Sequence, residues 1–123
     1  MLNKNQLFGK KSESLAAAYL KKNKYKIITE NYRTRLGEID IIARDGDTLA
    51  FVEVKSGRSD QFGSPKGAVT PRKQRKISMV ALQYLKATKQ PHRRARFDVV
   101  SICYAGNHPE IELIKNAFET AFE

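Results

Sequence analysis

The 123-residue sequence predicts an α/β or α+β fold built on a mixed β-sheet. Two long segments carry apolar residues at helical spacing, and three strand-like runs lie between them. One or two further strand-like runs follow the second helical segment. Because the chain is close to the commonest domain length and contains no linker or internal repeat, we expect residues 1–123 to form one domain.

The first helix is predicted from Asn5 to Asn23, where good helix formers dominate. Its main apolar stripe consists of Leu7, Leu15, Ala18 and Tyr19. A second stripe places Glu13 between Gly9 and Ala16, among small and apolar side chains instead of among its charged neighbours. A carboxylate is unusual there, which makes Glu13 a candidate functional residue.

Three strands are predicted between the helices, over Tyr25–Arg33, Gly37–Arg44 and Leu49–Lys55. An Asp-Gly sequence joins the second to the third, and since it is among the strongest short hairpin signals, these strands should pair antiparallel. If the turn residues are Gly46 and Asp47, Asp40 lies directly opposite Glu53. If the turn centres one residue earlier, that opposition is lost unless a bulge restores it.

A segment containing three glycines, from Ser56 to Val69, follows the third strand and is expected to be a mobile surface loop. Thr70 and Pro71 then form an N-cap and first-turn pair for a second helix that extends to about Lys89. Its apolar stripe consists of Ile77, Val80, Ala81, Tyr84 and Leu85. The remaining strands are predicted over Arg96–Tyr104 and, across a Gly-Asn turn, Glu110–Ile114.

Basic residues outnumber acidic ones: 23 lysines and arginines against 13 aspartates and glutamates give a net charge of +10. This charge favours a polyanionic partner, and nucleic acid is the natural one, although solubility or anionic lipid would also account for it. No apolar run reaches the roughly 20 residues that span a bilayer, and residues 1–11 lack the apolar stretch of a signal peptide. We therefore expect a cytoplasmic protein without a membrane partner, whose single cysteine, Cys103, is a buried thiol.

Two carboxylates on neighbouring strands carry the strongest chemical signal. In the register that opposes them, the Cβ atoms of Asp40 and Glu53 would lie roughly 4.5 to 5.5 Å apart. Ionised carboxylates that close repel each other unless a cation lies between them or they share a proton. Oxygen ligands suit Mg²⁺ or Mn²⁺, and Lys55 follows on the same strand face. The combination is typical of phosphodiester hydrolysis, in which a lysine orients water and stabilises developing charge.

Structural interpretations of the same residues stand beside this one. An isolated Glu-x-Lys in a strand is usually a solvated ion pair, and Glu13 could simply pair with a lysine of its own helix. Glu38 shares the face of Asp40 and is interpreted as a bystander or a supporting group. Asp98 is interpreted as a buried structural residue, paired with Arg96 or another arginine.

Four basic residues open the second helix: Arg72, Lys73, Arg75 and Lys76. Positive charge at a helix start opposes the helix dipole, which makes more sense if phosphates bind there, with solubility as the alternative. The loop and strand-edge residues expected to add phosphate contacts are Arg33, Arg35, Arg58 and Lys66. The sequence therefore predicts binding to nucleic acid, with DNA as the favoured partner, but carries no motif that reads bases.

These residues resemble a known signature. Asp40, twelve intervening residues and then Glu53-Val54-Lys55 look like the PD-(D/E)xK motif of the restriction-endonuclease-like superfamily, with Ile39 in place of the motif's proline. The wider pattern is similar to that of the YraN-like family of small bacterial proteins, predicted endonucleases that are similar to archaeal Holliday-junction resolvases. The segments that carry this resemblance are Gly37–Asp40, Phe51–Lys55, Thr70–Lys76 and Arg96–Val100.

The resemblance implies an α/β fold with a restriction-endonuclease-like core, a mixed sheet of four to five strands flanked by helices, in the order α-β-β-β-α-β(-β). It implies that Asp40, Glu53 and Glu13 hold a metal ion and that Lys55 is the catalytic lysine. The expected activity is that of a Mg²⁺- or Mn²⁺-dependent endonuclease acting on DNA, with branched or structured DNA as a candidate substrate. The alternative is a non-catalytic nucleic-acid-binding or assembly module that retains the fold. Resemblance to junction-resolving dimers adds a homodimer as an expectation.

Overall fold

A computed structural model describes residues 2–57, 69–105 and 108–120. Their order, α-β-β-β-α-β-β, confirms the predicted α/β fold and its two helices. The elements are α1 Lys4–Lys22, β1 Lys26–Thr34, β2 Gly37–Asp45, β3 Thr48–Gly57, α2 Pro71–Ala87, β4 Ala95–Ala105 and β5 His108–Phe118. Neither helix of the described residues is long and apolar enough to cross a bilayer.

The strands form one five-stranded sheet in the order β1-β2-β3-β4-β5. All neighbours are antiparallel except β3 and β4, which are parallel because α2 provides the crossover that parallel strands require. The last strand pairs with β4, as the sequence predicted. The predicted loop starts later than expected because Ser56 and Gly57 still belong to β3, and residues 58–68 lie outside the described part of the chain.

The β2–β3 hairpin has the first of the two turns considered, with Gly46 and Asp47 as the turn residues. Asp45 pairs with Thr48, so the turn begins at Gly46, which has a φ of 61° that glycine adopts without steric cost. The register runs from this pair to Ile41 and Val52, and just beyond it the side chains of Asp40 and Glu53 are joined by a hydrogen bond. The alternative register, with the turn one residue earlier, is therefore excluded.

Each helix covers one face of the sheet. On one face, α1 packs against β-strand residues that include Ile41 and Val52. On the other, α2 packs against residues that include Ile42 and Phe51. The predicted stripe of α2 is confirmed by the residues that it contributes, which are Ile77, Val80, Ala81 and Tyr84, with Leu85 partly buried beside them. Cys103 is buried, as predicted.

The stripe predicted for α1 is wrong in part, because Leu15 packs partly buried against the core but other members of the stripe are exposed. Leu7 is 54% exposed, and Ala18 is exposed as well. The buried residues of α1 are Ser12, Ala16, Ala17 and Leu20. Because alanine and leucine occur on several sides of this helix, hydrophobic periodicity alone could not select the buried side. The stripe that contains Glu13 is the one turned toward the sheet.

The regular alternation of side chains along β2 breaks at Asp40. Ile41 packs in the apolar cluster under α1, whereas Ile39 packs in the cluster under α2. In a regular strand, residues two apart share a face. Across from this break, Asn31 of β1 has a left-handed backbone conformation with a φ of 55°. Asp40 is thereby left between the two faces, within reach of groups from both.

A buried polar network ties β4 to the rest of the sheet. Asp98 is fully buried and accepts hydrogen bonds from the Tyr25 hydroxyl at 2.8 Å and from Arg96 Nε at 2.9 Å. The backbone N–H of Asn116 donates a third, at 3.0 Å. The Arg96 guanidinium also donates to Asp45 at 2.6 Å. The predicted structural role of Asp98, buried and paired with Arg96, is confirmed.

Replacing Asp98 by alanine should lower the free energy of unfolding by about 3–5 kcal/mol, because Arg96 would lose its buried counter-charge. Urea unfolding at pH 7, followed by circular dichroism, measures the loss. Asp45→Ala is the matched control, since it removes a more exposed carboxylate from the same arginine and should cost about 1 kcal/mol or less. Equal losses in the two variants would contradict this account of the network.

Candidate metal centre

Acidic side chains from a helix and a strand converge at the break in β2. Glu13 of α1 and Glu38 and Asp40 of β2 each present a carboxylate oxygen, and the three oxygens lie within 4.8 Å of one another. Around an octahedral Mg²⁺ ion, with ligands at 2.0–2.1 Å, opposite oxygens are about 4.2 Å apart. The observed spacing is close to that requirement, and carboxylates are the donors that Mg²⁺ and Mn²⁺ prefer. The three residues therefore fit a divalent ion.

Glu53 of β3 joins these three residues, and the four together are here named the acidic cluster. Burial raises the pKa of Asp40 far above its ordinary value, and the charge of Glu53 and a hydrogen bond with it raise that pKa further. The backbone N–H of Val54 opposes this effect by donating to Asp40 Oδ2 at 2.8 Å. Asp40 is consequently a carboxyl group that favours either a proton or a nearby cation.

Glu13 approaches the cluster from α1. Burial raises its pKa, and the charges of Asp40 and Glu38 raise it further, whereas a hydrogen bond from the Asn31 side chain lowers it. Asn31 reaches Glu13 from the left-handed position on β1 that faces the break. Sequence analysis missed Asn31. It could have been noticed because asparagine tolerates a positive φ and because this one lies in the middle of a strand-like run.

Two basic side chains form ion pairs with Glu38 and Glu53, and so offset part of the negative charge of the cluster. Arg33 Nε donates to Glu38 Oε2 at 2.8 Å, and Lys73 Nζ lies 3.1 Å from Glu53 Oε2. Desolvation would lower the pKa of Lys73, but the charge and hydrogen bond of Glu53, with the charges of Asp40 and Glu38, raise it overall. Lys73 therefore remains an ammonium ion beside the acids.

Lys55 is half-buried on β3, two residues beyond Glu53. A groove of about 190 Å³ is lined by Glu53, Lys55, Val69, Thr70 and Lys73. A second groove, of about 340 Å³, shares Lys73 and is further lined by Gly37, Glu38, Asp40, Lys76 and Ile77. The acidic cluster thus opens to solvent through two grooves that lysines border.

The predicted site residues meet as follows. Glu13 lies with Asp40, Glu53 contacts Asp40, and Lys55 lines the same groove as Glu53. The structure adds Glu38, which the sequence analysis set aside as a bystander or supporting group. Glu38 could have been assigned to the site from the sequence, because it lies two residues before Asp40 on the same strand.

The predicted phosphate contacts fall into three groups. Arg35, in the turn between β1 and β2, is exposed, as are the residues Arg72, Arg75 and Lys76 in the first turns of α2. Arg33 and Lys73 are held by carboxylates of the acidic cluster. Arg58 and Lys66 lie outside the described residues.

The substitution Asp40→Asn should stabilise the metal-free protein at pH 8 by about 1–2 kcal/mol, because it removes an ionised group from beside Glu53. The pKa of Asp40 is raised in the folded state, so the folded protein holds this proton more tightly than the unfolded chain does. Wild-type stability should therefore decline as the pH rises from about 4 through the raised pKa.

Urea unfolding in EDTA at pH 5 and pH 8 measures this effect. The gain from Asp40→Asn should be larger at pH 8, and Asp47→Asn, which alters an exposed acid in the hairpin turn, should change neither value. An Asp40→Asn protein that is less stable than wild type at pH 8 would refute the proposed repulsion.

Comparisons with known proteins identify the family. The profile of the uncharacterised protein family UPF0102 matches residues 12–102, a span that contains the whole acidic cluster. The chain is 52% identical to a UPF0102 protein of Geobacter metallireducens, over 96% of this chain and 97% of the relative. It is 52% identical to a UPF0102 protein of Syntrophus aciditrophicus, over 98% of this chain and 95% of the relative. It is 53% identical to a UPF0102 protein of Desulfosudis oleivorans, over 97% of this chain and 95% of the relative. These matches bear out the YraN-like resemblance, and the chain belongs to the uncharacterised protein family UPF0102.

Proposed function

We propose that this protein is a Mg²⁺-dependent endonuclease that hydrolyses phosphodiester bonds of DNA, with branched or structured DNA as its candidate substrate. The observation that carries the proposal is the convergence of Glu13, Glu38 and Asp40, with oxygens within 4.8 Å of one another, beside Glu53 and Lys55. The relatives are named only as UPF0102 proteins. The proposal therefore rests on the chemistry of the site and on its resemblance to the PD-(D/E)xK signature.

A purely structural role explains the acidic cluster poorly. Partly buried carboxylates that raise one another's pKa reduce stability at neutral pH. The structural ion network around Asp98 is different in kind, because there a single fully buried acid accepts three strong hydrogen bonds. A divalent cation would turn the repulsion within the cluster into favourable coordination.

Each residue of the site has a role in this reaction. Glu13, Glu38 and Asp40 would hold the ion, with Glu53 beside them, and the Val54 N–H keeps the Asp40 carboxylate oriented. The bound ion would polarise a phosphoryl oxygen and make a water molecule more acidic. The Lys55 ammonium would orient that water and stabilise negative charge on the phosphate.

Exposed positive charge lies where the DNA backbone would approach the cluster. Arg72 and Arg75 are exposed at the start of α2, and Lys76 lines the groove that Asp40 opens into. Cations at a helix start are intrinsically unfavourable there and become favourable when phosphate binds. Contacts of this kind recognise the backbone and its shape instead of base sequence, which suits a structured substrate.

One observation favours a second candidate, a nucleic-acid-binding module that does not cut. Arg33 and Lys73 already provide positive charge to Glu38 and Glu53, so part of the cluster is balanced without a metal ion. Such a module would bind DNA in a salt-dependent way through the same basic surface. Metal-dependent cleavage separates the two candidates.

The variants Asp40→Asn and Lys55→Met should each reduce the rate of Mg²⁺-dependent cleavage by about 100-fold or more, since the first removes a charged ligand of the ion and the second removes the ammonium group that stabilises the phosphate charge. Initial rates on fluorescently labelled junction, single-stranded and duplex DNA measure this effect. Asp47→Asn is the control, because its exposed acid lies at the other end of the hairpin, about 20 Å along the strand.

Cleavage that persists in both variants would show that the activity does not come from this site. Salt-dependent DNA binding without cleavage of any of the three substrates would favour the binding module.

A further inference from the structure

We propose that Lys73 is an internal counter-cation of the acidic cluster, which a divalent ion displaces, and that its released ammonium group then binds a phosphate of the nucleic acid. The inference rests on the proposed function and deepens it, because it couples metal binding to substrate binding at one residue. It also changes the role of Lys73 from a simple phosphate contact to a residue that responds to the metal.

The geometry makes Lys73 the movable member of its ion pair. Its Nζ lies 3.1 Å from Glu53 Oε2, yet 51% of the Lys73 side chain is exposed, against 11% for Glu53. The backbone of Lys73 is fixed, since its N–H donates to the side chain of the N-cap Thr70 at 3.2 Å. The backbone therefore stays in place while the long side chain can turn.

The charges around Lys73 explain its position without a metal ion. A cation in the first turn of a helix faces the positive end of the helix dipole, which disfavours it. Attraction from Glu53, Asp40 and Glu38 outweighs that effect and holds the ammonium group over the cluster. Lys73 thus partly does what a bound cation would do for these carboxylates.

A divalent ion would compete for the same charge. Its two positive charges would repel the ammonium group and attract the Glu53 carboxylate, so that the Lys73–Glu53 contact weakens. The freed side chain would lie between the two grooves, because Lys73 lines both of them, with Lys76 bordering one. A phosphate entering either groove would meet an ammonium group that no longer has an acidic partner. Metal and nucleic acid should therefore strengthen each other's binding.

Lys76→Met is the matched control for Lys73→Met. Both residues lie on the first turns of α2 and line the same groove, and both substitutions remove one positive charge. The difference is that Lys73 has an ion pair with Glu53, whereas Lys76 has none among the described residues. Lys73→Gln is a second variant, which removes the charge while keeping a hydrogen-bond donor for Glu53.

Calorimetric titration with Mn²⁺ tests the displacement. Lys73→Met and Lys73→Gln should bind Mn²⁺ about two- to tenfold more tightly than wild type, because the competing cation is gone. Lys76→Met should stay within about twofold of wild type. Unchanged or weaker Mn²⁺ binding by both Lys73 variants would overturn the proposal and leave Lys73 as a structural partner of Glu53.

Fluorescence anisotropy with a labelled DNA junction tests the second step, in a Lys55→Met background that keeps the DNA intact. Lys73→Met should weaken binding about three- to tenfold in Mn²⁺ but less than about twofold in EDTA. Lys76→Met should weaken binding equally in both conditions. An equal loss in both conditions for Lys73→Met would overturn the coupling.

The failure of this inference can be told apart from failure of the proposed function. If wild type binds Mn²⁺ and cuts DNA while Lys73→Met behaves like Lys76→Met, only the role of Lys73 is wrong. If wild type binds no Mn²⁺, both are wrong.

Discussion

Repulsion among closely spaced carboxylates is the constraint around which the site is arranged. The acidic cluster gathers two residues from β2 and one each from α1 and β3, and burial of Asp40 strengthens their effect on one another. A fold that brings such groups together must supply protons, hydrogen-bond donors or cations. Within the described part of the chain, the donors and cations at the cluster include Asn31, Arg33, the Val54 N–H and Lys73.

The cluster can form because the side-chain alternation of β2 breaks at Asp40. The helices cover opposite faces of the sheet, so acids from α1 and from the α2 side of β3 would normally stay apart. The break leaves Asp40 between the faces, and the left-handed conformation of Asn31 accompanies it on the neighbouring strand. Stability comes from other regions, namely the two apolar clusters and the network around Asp98. The residues that cost stability are therefore distinct from those that provide it.

Local signals in the sequence predicted the element order and the buried face of α2, and they limited the hairpin to two registers. The Asp-Gly sequence marks the hairpin but is compatible with two turns one residue apart, and the structure selects one of them. Thr70 with Pro71 starts the helix in a way that needs no distant contact. The buried face of α1 was not predictable, because its alanines and leucines leave several faces equally apolar. The buried face of α1 is determined by its packing against the sheet, which the periodicity of its sequence does not show.

The parts of the site that were missed depend on long-range geometry. Asn31 joins the site in a left-handed conformation, from the strand that pairs with β2. Glu38 is the exception, because its position two residues before Asp40 on the same strand was visible in the sequence. Lys73 and Glu53 lie twenty residues apart in the sequence, on α2 and β3, and nothing local predicts that their side chains meet. The PD-(D/E)xK signature predicted the two strand acids and Lys55, but it carries no information on which neighbouring charges surround them.

Calorimetric titration of Mn²⁺ into wild type and the double variant Asp40→Ala/Glu53→Ala tests the central claim most directly. The account predicts saturable binding to wild type that is lost in the double variant. A second double variant, Asp47→Ala/Glu119→Ala, removes two exposed acids outside the cluster and should bind as wild type does. If wild type fails to bind Mn²⁺, with or without DNA, or if the Asp40→Ala/Glu53→Ala protein binds it equally well, the acidic cluster is not a metal centre.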